Sequence, residues 1–300
     1  MKNILIAGGS GLIGQRLTFL LKEKKYNVAW LSRKIIPGQL CFKWNIEDGS
    51  VDNEAIDFAD AVINLAGENI AGRRWNDQAK NKIVNSRIQS TNLLYEKFSK
   101  REKKLNAFIS SSAVGYYGAN TSEKIYKESD DAGTDFLANT CRLWEAAASR
   151  FEPAGIRTVI IRTGIVLSAN GGMLPKMLIP FKYGLGTAFG TGRQYMPWIH
   201  LDDLCEMYIS AMEKEKFSGA YNAVAPEHLT AEEFNRILAG TLHKPYFIPN
   251  IPSWLIKPVL GEMSSLLLEG SVVSAERIIS EGFRFKYPDL HSALTEILAD

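Results

Sequence analysis

The stretch Asn3-Ile4-Leu5-Ile6-Ala7-Gly8-Gly9-Ser10-Gly11-Leu12-Ile13-Gly14 decides how this chain is read. A short apolar run, residues 3–7, has the length and composition of a buried strand. Gly8, Gly11 and Gly14 follow at GxxGxxG spacing, and residues 11–24 continue as a helical pattern with Leu12, Ile13, Leu17, Leu20 and Leu21 at its apolar positions. In such a strand–turn–helix the first glycine permits the tight turn. The second lets a pyrophosphate approach the backbone, and the third packs helix against strand. The helix N-terminus adds unpaired N–H groups and the positive end of its dipole, which suit phosphate. Gln15 and Arg16 follow Gly14, so the Lys-Ser/Thr pair of a Walker A loop is missing. The motif predicts dinucleotide binding; the bland alternative is a glycine turn with no ligand.

Working outward, short β-branched runs alternate with longer helical patterns, the signature of a parallel sheet flanked by helices. Strands are expected at 28–32, 40–44, 61–65, 107–111 and 158–162, with helices at 77–99 and 136–151. Beyond them the rhythm changes. Residues 170–196, rich in glycine and proline, predict a loop–helix–loop excursion; 198–201 reads as a short strand feeding a helix at 202–212, and 219–224 as the last strand of the main sheet. After Pro226 only short helical pieces are expected, broken by Pro245, Pro249, Pro252, Pro258 and Pro288. The expected division is a doubly wound α/β domain over 1–225 and a small helical domain over 226–300 on the substrate side. The 170–196 excursion should pack toward the latter.

The end of the second strand selects the dinucleotide. An acid there binds the ribose 2′-hydroxyl of NAD, whereas arginine accommodates the 2′-phosphate of NADP. The sequence is Leu31-Ser32-Arg33-Lys34, with no acid. Ser32 and Arg33 therefore point to NADP(H), the alternative being plain surface charges.

Composition removes other classes. Of 300 residues, Lys+Arg 35 against Asp+Glu 33 leaves +2, too even a balance to suggest nucleic acid or a membrane surface. The one basic excess, 97–104, has no interleaved aromatics and reads as a solvated helix end. Three dispersed cysteines and four scattered histidines suggest neither a disulfide framework nor a metal site. No apolar run is long enough to span a membrane, and the run at 4–7 is too short for a signal peptide. The cytoplasm is the expected compartment.

Further segments carry a resemblance. Asn64-Leu65-Ala66-Gly67, Ser110-Ser111-Ser112 and Trp198-Ile199-His200-Leu201-Asp202-Asp203 together resemble the extended short-chain dehydrogenase/reductase superfamily, the sugar-nucleotide epimerase and dehydratase group. More narrowly, Glu68-Asn69-Ile70, Arg73-Arg74-Trp75, Ser86-Arg87, Asp135-Phe136-Leu137 and Trp144-Glu145 look like its atypical subfamily, the epimerase family proteins. Gly282-Phe283, Tyr287-Pro288 and Leu290 resemble that subfamily's small C-terminal domain of unknown function. The resemblance implies a Rossmann-like fold and a small-molecule substrate, a carbonyl or sugar-like metabolite, with the protein a monomer or homodimer. It implies that Leu65, Ala66 and Gly67 pass the adenine-ribose side of the cofactor. Ser110 and Ser112 close the fifth strand, with Ser110 expected to contact the cofactor and Ser112 the active-site hydroxyl. Arg87 looks like a cofactor contact, and Arg162 and Val166 are expected to reach the same crevice.

The pattern also departs from the superfamily. Its enzymes use Tyr-x-x-x-Lys on the helix before the sixth strand, with a glutamate commonly four residues on. Anchored on Glu145, the Lys position is Cys141 and the Tyr position Leu137. Leucine has no proton to exchange, and cysteine cannot supply a fixed positive charge. Tyr116, Tyr117, Glu68, Arg73, Tyr195 and His200 are conceivable substitutes, though no motif selects among them. The expected function is therefore an NADP(H)-binding oxidoreductase or epimerase-like protein of unassigned substrate. The alternative is a non-catalytic NADP(H)-binding regulatory or redox-sensing protein.

Overall fold

The computed structural model describes residues 2–299. Its centre is a sheet in the order β11-β8-β6-β5-β1-β2-β3-β4. The strands are β1 (Asn3–Ala7), β2 (Asn27–Ser32), β3 (Cys41–Asn45), β4 (Ser50–Val51), β5 (Ala61–Asn64), β6 (Ala107–Ala113), β8 (Thr158–Thr163) and β11 (Gly219–Ala223). All pair in parallel except β4, which lies antiparallel to β3. The order reverses between β1 and β5, and open α/β sheets bind ligands at the carboxyl ends beside such a reversal.

The pleat sends alternate side chains to opposite faces, and both are dry. Ile4, Ile6, Ile63 and Ile109 meet Leu17 and Leu21 of α1 (Leu12–Glu23) and Leu204, Met207 and Tyr208 of α6 (Leu201–Glu213). On the other face Leu5, Val62, Phe108 and Ile160 meet Leu93, Leu94 and Phe98 of α3 (Asp77–Phe98) and Ala148 of α4 (Phe136–Ser149). Phe151, just past α4, stacks on Phe108 at 3.8 Å between ring centroids.

A third core forms away from the sheet. There α5 (Leu174–Lys182), carried by the 170–196 excursion, buries Leu174, Leu178 and Phe181 against Phe234 and Leu238 of α7 (Ala231–Thr241) and Leu290, Leu294 and Ile297 of α11 (Leu290–Ile297). Thr230 and Glu233 cap α7 reciprocally, satisfying two of its free N-terminal amides. Between α7 and α11 run α8 (Ser253–Leu260), α9 (Ser265–Leu268) and α10 (Glu276–Ser280).

Several elements differ from the sequence reading. The 198–201 strand is β10 (Trp198–His200), and it pairs with β9 (Ile165–Leu167) outside the main sheet. The segment after Pro226 is not only helical: β12 (Val272–Val273) pairs in parallel with β7 (Ile125–Tyr126). A short helix α2 (Asn53–Phe58) also follows β4. The basic run is more than a solvated helix end. Arg101 donates to the carbonyls of Ile56 and Ala59, both at 2.6 Å, and Lys103 pairs with Asp60 at 2.7 Å. These cations bind the edge of α2 to the loop before β6.

Candidate dinucleotide and substrate site

The glycines divide the work as their surroundings require. Gly8 has φ +81°, and a β-carbon there would stand 2.8 Å from the Leu65 carbonyl group. One at Gly14 would meet the Gly9 backbone at 2.6 Å. One at Gly11 meets only the Gly8 oxygen, at 3.4 Å, so Gly11 faces open space. Gly9, which the spacing argument passed over, sits against the Trp30 ring, 2.4 Å from where its β-carbon would be. No local signal in the sequence announces that contact.

Gly11 is the N-cap of α1, and no side chain caps the helix and no acid stands in its first turn. Side-chain acceptors take such free amides at α3, α4, α6, α7 and α11. Here the amides of the first turn have no side-chain partner. Leu12 and Ile13, half-buried, border them. The Leu12 side chain lies 3.4 Å from a β-carbon position on Gly171, and one on Gly172 would stand 3.2 Å from the Val166 carbonyl oxygen. Thus Leu12, Val166 and the start of the excursion form one wall.

At the end of β2, Ser32 is half-buried and accepts from the Lys34 amide at 3.3 Å. Arg33 and Lys34 are exposed. After β5, the Asn64 side chain donates to Thr91 at 3.0 Å and accepts from the Ala66 amide at 3.2 Å, which fixes the turn through Leu65. Gly67 lies under Arg87, whose guanidinium carbon is 3.1 Å from its β-carbon position. The Arg87 head donates to the Ile83 carbonyl of its own helix at 3.0 Å and lies 5.2 Å from the centre of the Trp144 ring. Burial holds its pKa below the usual arginine range. The Trp144 indole N–H is buried without a partner. The indole N–H is thus an unsatisfied donor on the ring that Arg87 covers.

The end of β6 holds a closed polar network. Ser112 donates to Glu145 Oε1 at 2.6 Å. Arg162 grips both carboxylate oxygens, Nε to Oε1 and Nη2 to Oε2, each at 2.9 Å. Its Nη1 donates to the Tyr117 hydroxyl at 2.9 Å, which in turn donates to Asn222 at 2.7 Å. Tyr116 covers the guanidinium at 3.5 Å. The pairing with Glu145 raises the Arg162 pKa against the opposing pull of burial. Burial pushes Tyr117 up to about 12.

Two of the expected crevice residues have their side chains turned inward. Arg162 is only 4 % exposed and fully engaged within this network, so its head does not stand open to the crevice. Ser110, 1 % exposed, donates to the Ser111 carbonyl at 3.0 Å and is likewise turned inward. Both sit at strand ends, as the sequence suggested, but buried charge and buried hydroxyl must be satisfied within the protein. Of the suggested substitutes, Tyr117 is locked into the network. His200 caps α6, accepting from the Asp202 amide at 3.1 Å.

Leu137, Cys141 and Glu145 follow one another at one-turn spacing along α4. Asp135 caps the helix through the amides of Leu137 and Ala138. Leu137 then lies 3.5 Å from the β-carbon position of Gly115, and one turn later Cys141 packs against Ser112 and Ala113. Burial pushes the Cys141 thiol up to about 12, where it is a neutral, unreactive group.

Comparison with known proteins agrees with this geometry. Residues 4–224 match the NAD dependent epimerase/dehydratase family, and residues 251–297 match a domain of unknown function, DUF1731. The epimerase family protein YfhF of Bacillus subtilis is 35 % identical over 301 residues, covering 99 % of this chain and 98 % of that protein. The human epimerase family protein SDR39U1 is 36 % identical over 299 residues, covering 99 % of each. A crystal structure of the human protein with NADPH matches with a TM-score of 0.88 over the full length of both chains. A UDP-glucose 4-epimerase from Thermotoga maritima shares the fold at 19 % identity and a TM-score of 0.77. The chain belongs to the NAD dependent epimerase/dehydratase family.

Proposed function

We propose that this chain is an NADP(H)-binding oxidoreductase or epimerase-like protein acting on a small metabolite of the carbonyl or sugar type. The observation that carries the reading is the first turn of α1, uncapped, free of acids and open at Gly11. That cradle fits a pyrophosphate, since a side chain at Gly11 would fill the room the phosphates need. Arg33, exposed at the end of an acid-free β2, favours the 2′-phosphate form. The NADPH in the crystal structure of the human relative supports the same choice.

In this reading Gly8, Gly11, Leu12, Ile13 and Gly14 hold the pyrophosphate, and Ser32 and Arg33 the 2′-phosphate. Leu65, Ala66 and Gly67 line the adenine-ribose side, Arg87 supplies a desolvated positive charge, and Val166 closes the opposite wall. When bound, the dinucleotide supplies or accepts a hydride. The chain itself orients the substrate at Ser112 and keeps water out of the crevice. Glu145 and Arg162 hold Ser112 in place. Residues 1–225 would form the dinucleotide domain, and 226–300 with the 170–196 excursion the roof of the substrate cleft. Three free cysteines support a reducing compartment, the cytoplasm. No helix of the described residues is long and apolar enough to cross a membrane. We read the protein as a monomer or homodimer.

Titration calorimetry tests the cofactor: NADPH should bind more tightly than NADH, and equal or tighter binding of NADH would overturn the reading. A second reading, a non-catalytic NADP(H)-binding protein, is favoured by Leu137 and Cys141 at the positions of the superfamily's Tyr and Lys. Single-turnover nicotinamide absorbance against a panel of carbonyl metabolites separates the two. Oxidation of bound NADPH by any of them favours the enzyme.

A further inference from the structure

We infer that the C-terminal region carries, on its outer side, a docking surface for a bilayer of anionic phospholipid. This goes beyond the cofactor reading and does not depend on it. Ile179, Tyr183 and Leu185, on α5 and just past it, stand exposed, and so do Phe247 and, on α8, Trp254, Leu255 and Val259. Two short segments thus supply seven of the thirteen large apolar side chains that are exposed among the described residues. A soluble surface scatters such groups singly, and a cluster of them marks an interaction site. On α8 only Ile256 is buried. Leu255 and Val259 lie one turn apart, as do Trp254 and Pro258, so the helix turns its apolar face outward.

The two segments are neighbours in space. A β-carbon on Gly184 would stand 3.3 Å from Pro245, and the Phe181 and Tyr246 rings stack at 6.3 Å. The Thr187 hydroxyl donates to the Pro249 carbonyl at 2.9 Å, and the Gly190 amide to that of Ile251 at 2.8 Å. Residues 245–251 therefore run beside 184–190, and the two exposed groups border one another.

Charge selects the occupant. No Asp or Glu occurs from 153 to 201 or from 234 to 261. Lys176, Lys182, Lys244 and Lys257, all exposed, flank the apolar side chains, and none pairs with an acid among the described residues. Glu232 and Glu262, acids that border the surface, are matched by Arg236 at 3.1 Å and by Lys80. Aromatic and aliphatic tips among unpaired lysines fit the headgroup boundary of an anionic bilayer. There the rings and chains enter the apolar layer while the ammonium groups meet phosphate. A second copy of the chain fits poorly, since a two-fold contact would set this surface against itself, lysine toward lysine. The near-even charge of the whole chain hides the patch, because it averages these acid-free stretches with the rest.

Vesicle binding by the full chain tests the inference. The protein should sediment with vesicles of phosphatidylcholine and phosphatidylglycerol in equal parts, stay in solution with phosphatidylcholine alone, and be released by salt. Trp254 is a built-in probe: it is 68 % exposed, whereas each of the other five tryptophans is 9 % exposed or less. Its emission should shift to the blue on the mixed vesicles, and Trp254→Tyr should still bind while losing that shift. Lys182→Gln and Lys257→Gln should each weaken binding about fivefold, and Lys100→Gln, in the basic run 97–104, should not. All four positions are exposed, so the variants should melt as the parent does. Failure to sediment with the mixed vesicles, binding without the blue shift, or equal losses at Lys100 and Lys257 would each overturn the inference. So would a dimer, seen by analytical ultracentrifugation, that Trp254→Ser dissolves.

Discussion

His200 and Glu296 are joined across the C-terminal core, imidazole Nε2 to carboxylate Oε2 at 3.0 Å. Because His200 Nδ1 accepts from the Asp202 amide, the ring proton resides on Nε2 and donates to Glu296. The ring is buried and packs on Tyr287 at 4.0 Å. Burial lowers its pKa, outweighing the pull of Glu296, Asp202 and Asp203 toward the charged form.

A lowered histidine pKa means the unfolded chain binds the proton more readily than the folded one, so stability falls as the medium becomes acid. The contribution is present above the ordinary histidine value of about 6.5 and is lost below it. Asp203, raised by burial, works in the opposite sense, but only near the carboxylate range. Between about pH 7.5 and about pH 5 the melting temperature should therefore decline. His200→Asn, which keeps an N-cap acceptor, should flatten that decline in a pH series of thermal melts.

The glycine loop separates folding from binding. Gly14→Ala forces a β-carbon onto the Gly9 backbone and should cost about 1–3 kcal/mol in urea unfolding, as overpacking does. Gly11→Ala meets only the Gly8 oxygen at 3.4 Å and should leave the melting temperature nearly unchanged while weakening NADPH in calorimetry. A Gly11→Ala protein that binds NADPH normally would place the pyrophosphate elsewhere.

Arg33→Ala removes a charge-assisted contact to the 2′-phosphate. NADPH affinity should drop about tenfold to a hundredfold with little change for NADH. Equal losses for both nucleotides would mean that Arg33 shapes the loop and does not read the phosphate.

The buried pair makes a stability prediction of its own. Arg162→Met leaves the Glu145 carboxylate without its counter-charge and should cost about 3–5 kcal/mol in chemical denaturation. Glu145→Leu combined with Arg162→Met removes both charges and should recover most of that loss. If the double variant is as unstable as the single, side-chain packing and not charge governs the site.

How much of this was legible beforehand depended on the range of the signal. The strands at β1, β5, β6 and β8 and the helices α1, α3 and α4 announce themselves by local apolar pattern, and so does the glycine loop between β1 and α1. That Leu137, Cys141 and Glu145 share one helix, α4, was legible by the same local pattern. By contrast β7 and β12 are two residues each, Ile125–Tyr126 and Val272–Val273, and no local period marks a pairing between segments so far apart. The helix α2 buries only Ala55, too little for a periodic stripe. The inward turn of the Arg162 and Ser110 side chains was not legible, for one reason. Position on a strand end can be counted, but whether a polar head turns inward depends on partners from other elements, here Glu145 on α4 and Tyr117 after β6.

The pairing of β7 with β12 orders events during synthesis. Ile125 and Tyr126 leave the ribosome well before Val272 and Val273 exist, and Asn222 waits likewise for the Ser274 carbonyl that it binds at 3.1 Å. Chains grow at about 5–20 residues per second, so for several seconds Ile125 and Tyr126 are made while the strand they pair with is untranslated. In that interval the first half must be stable enough to wait, or be shielded by a chaperone. A chain stalled before residue 272 would keep Ile125 and Tyr126 without their partner strand for as long as the stall lasts.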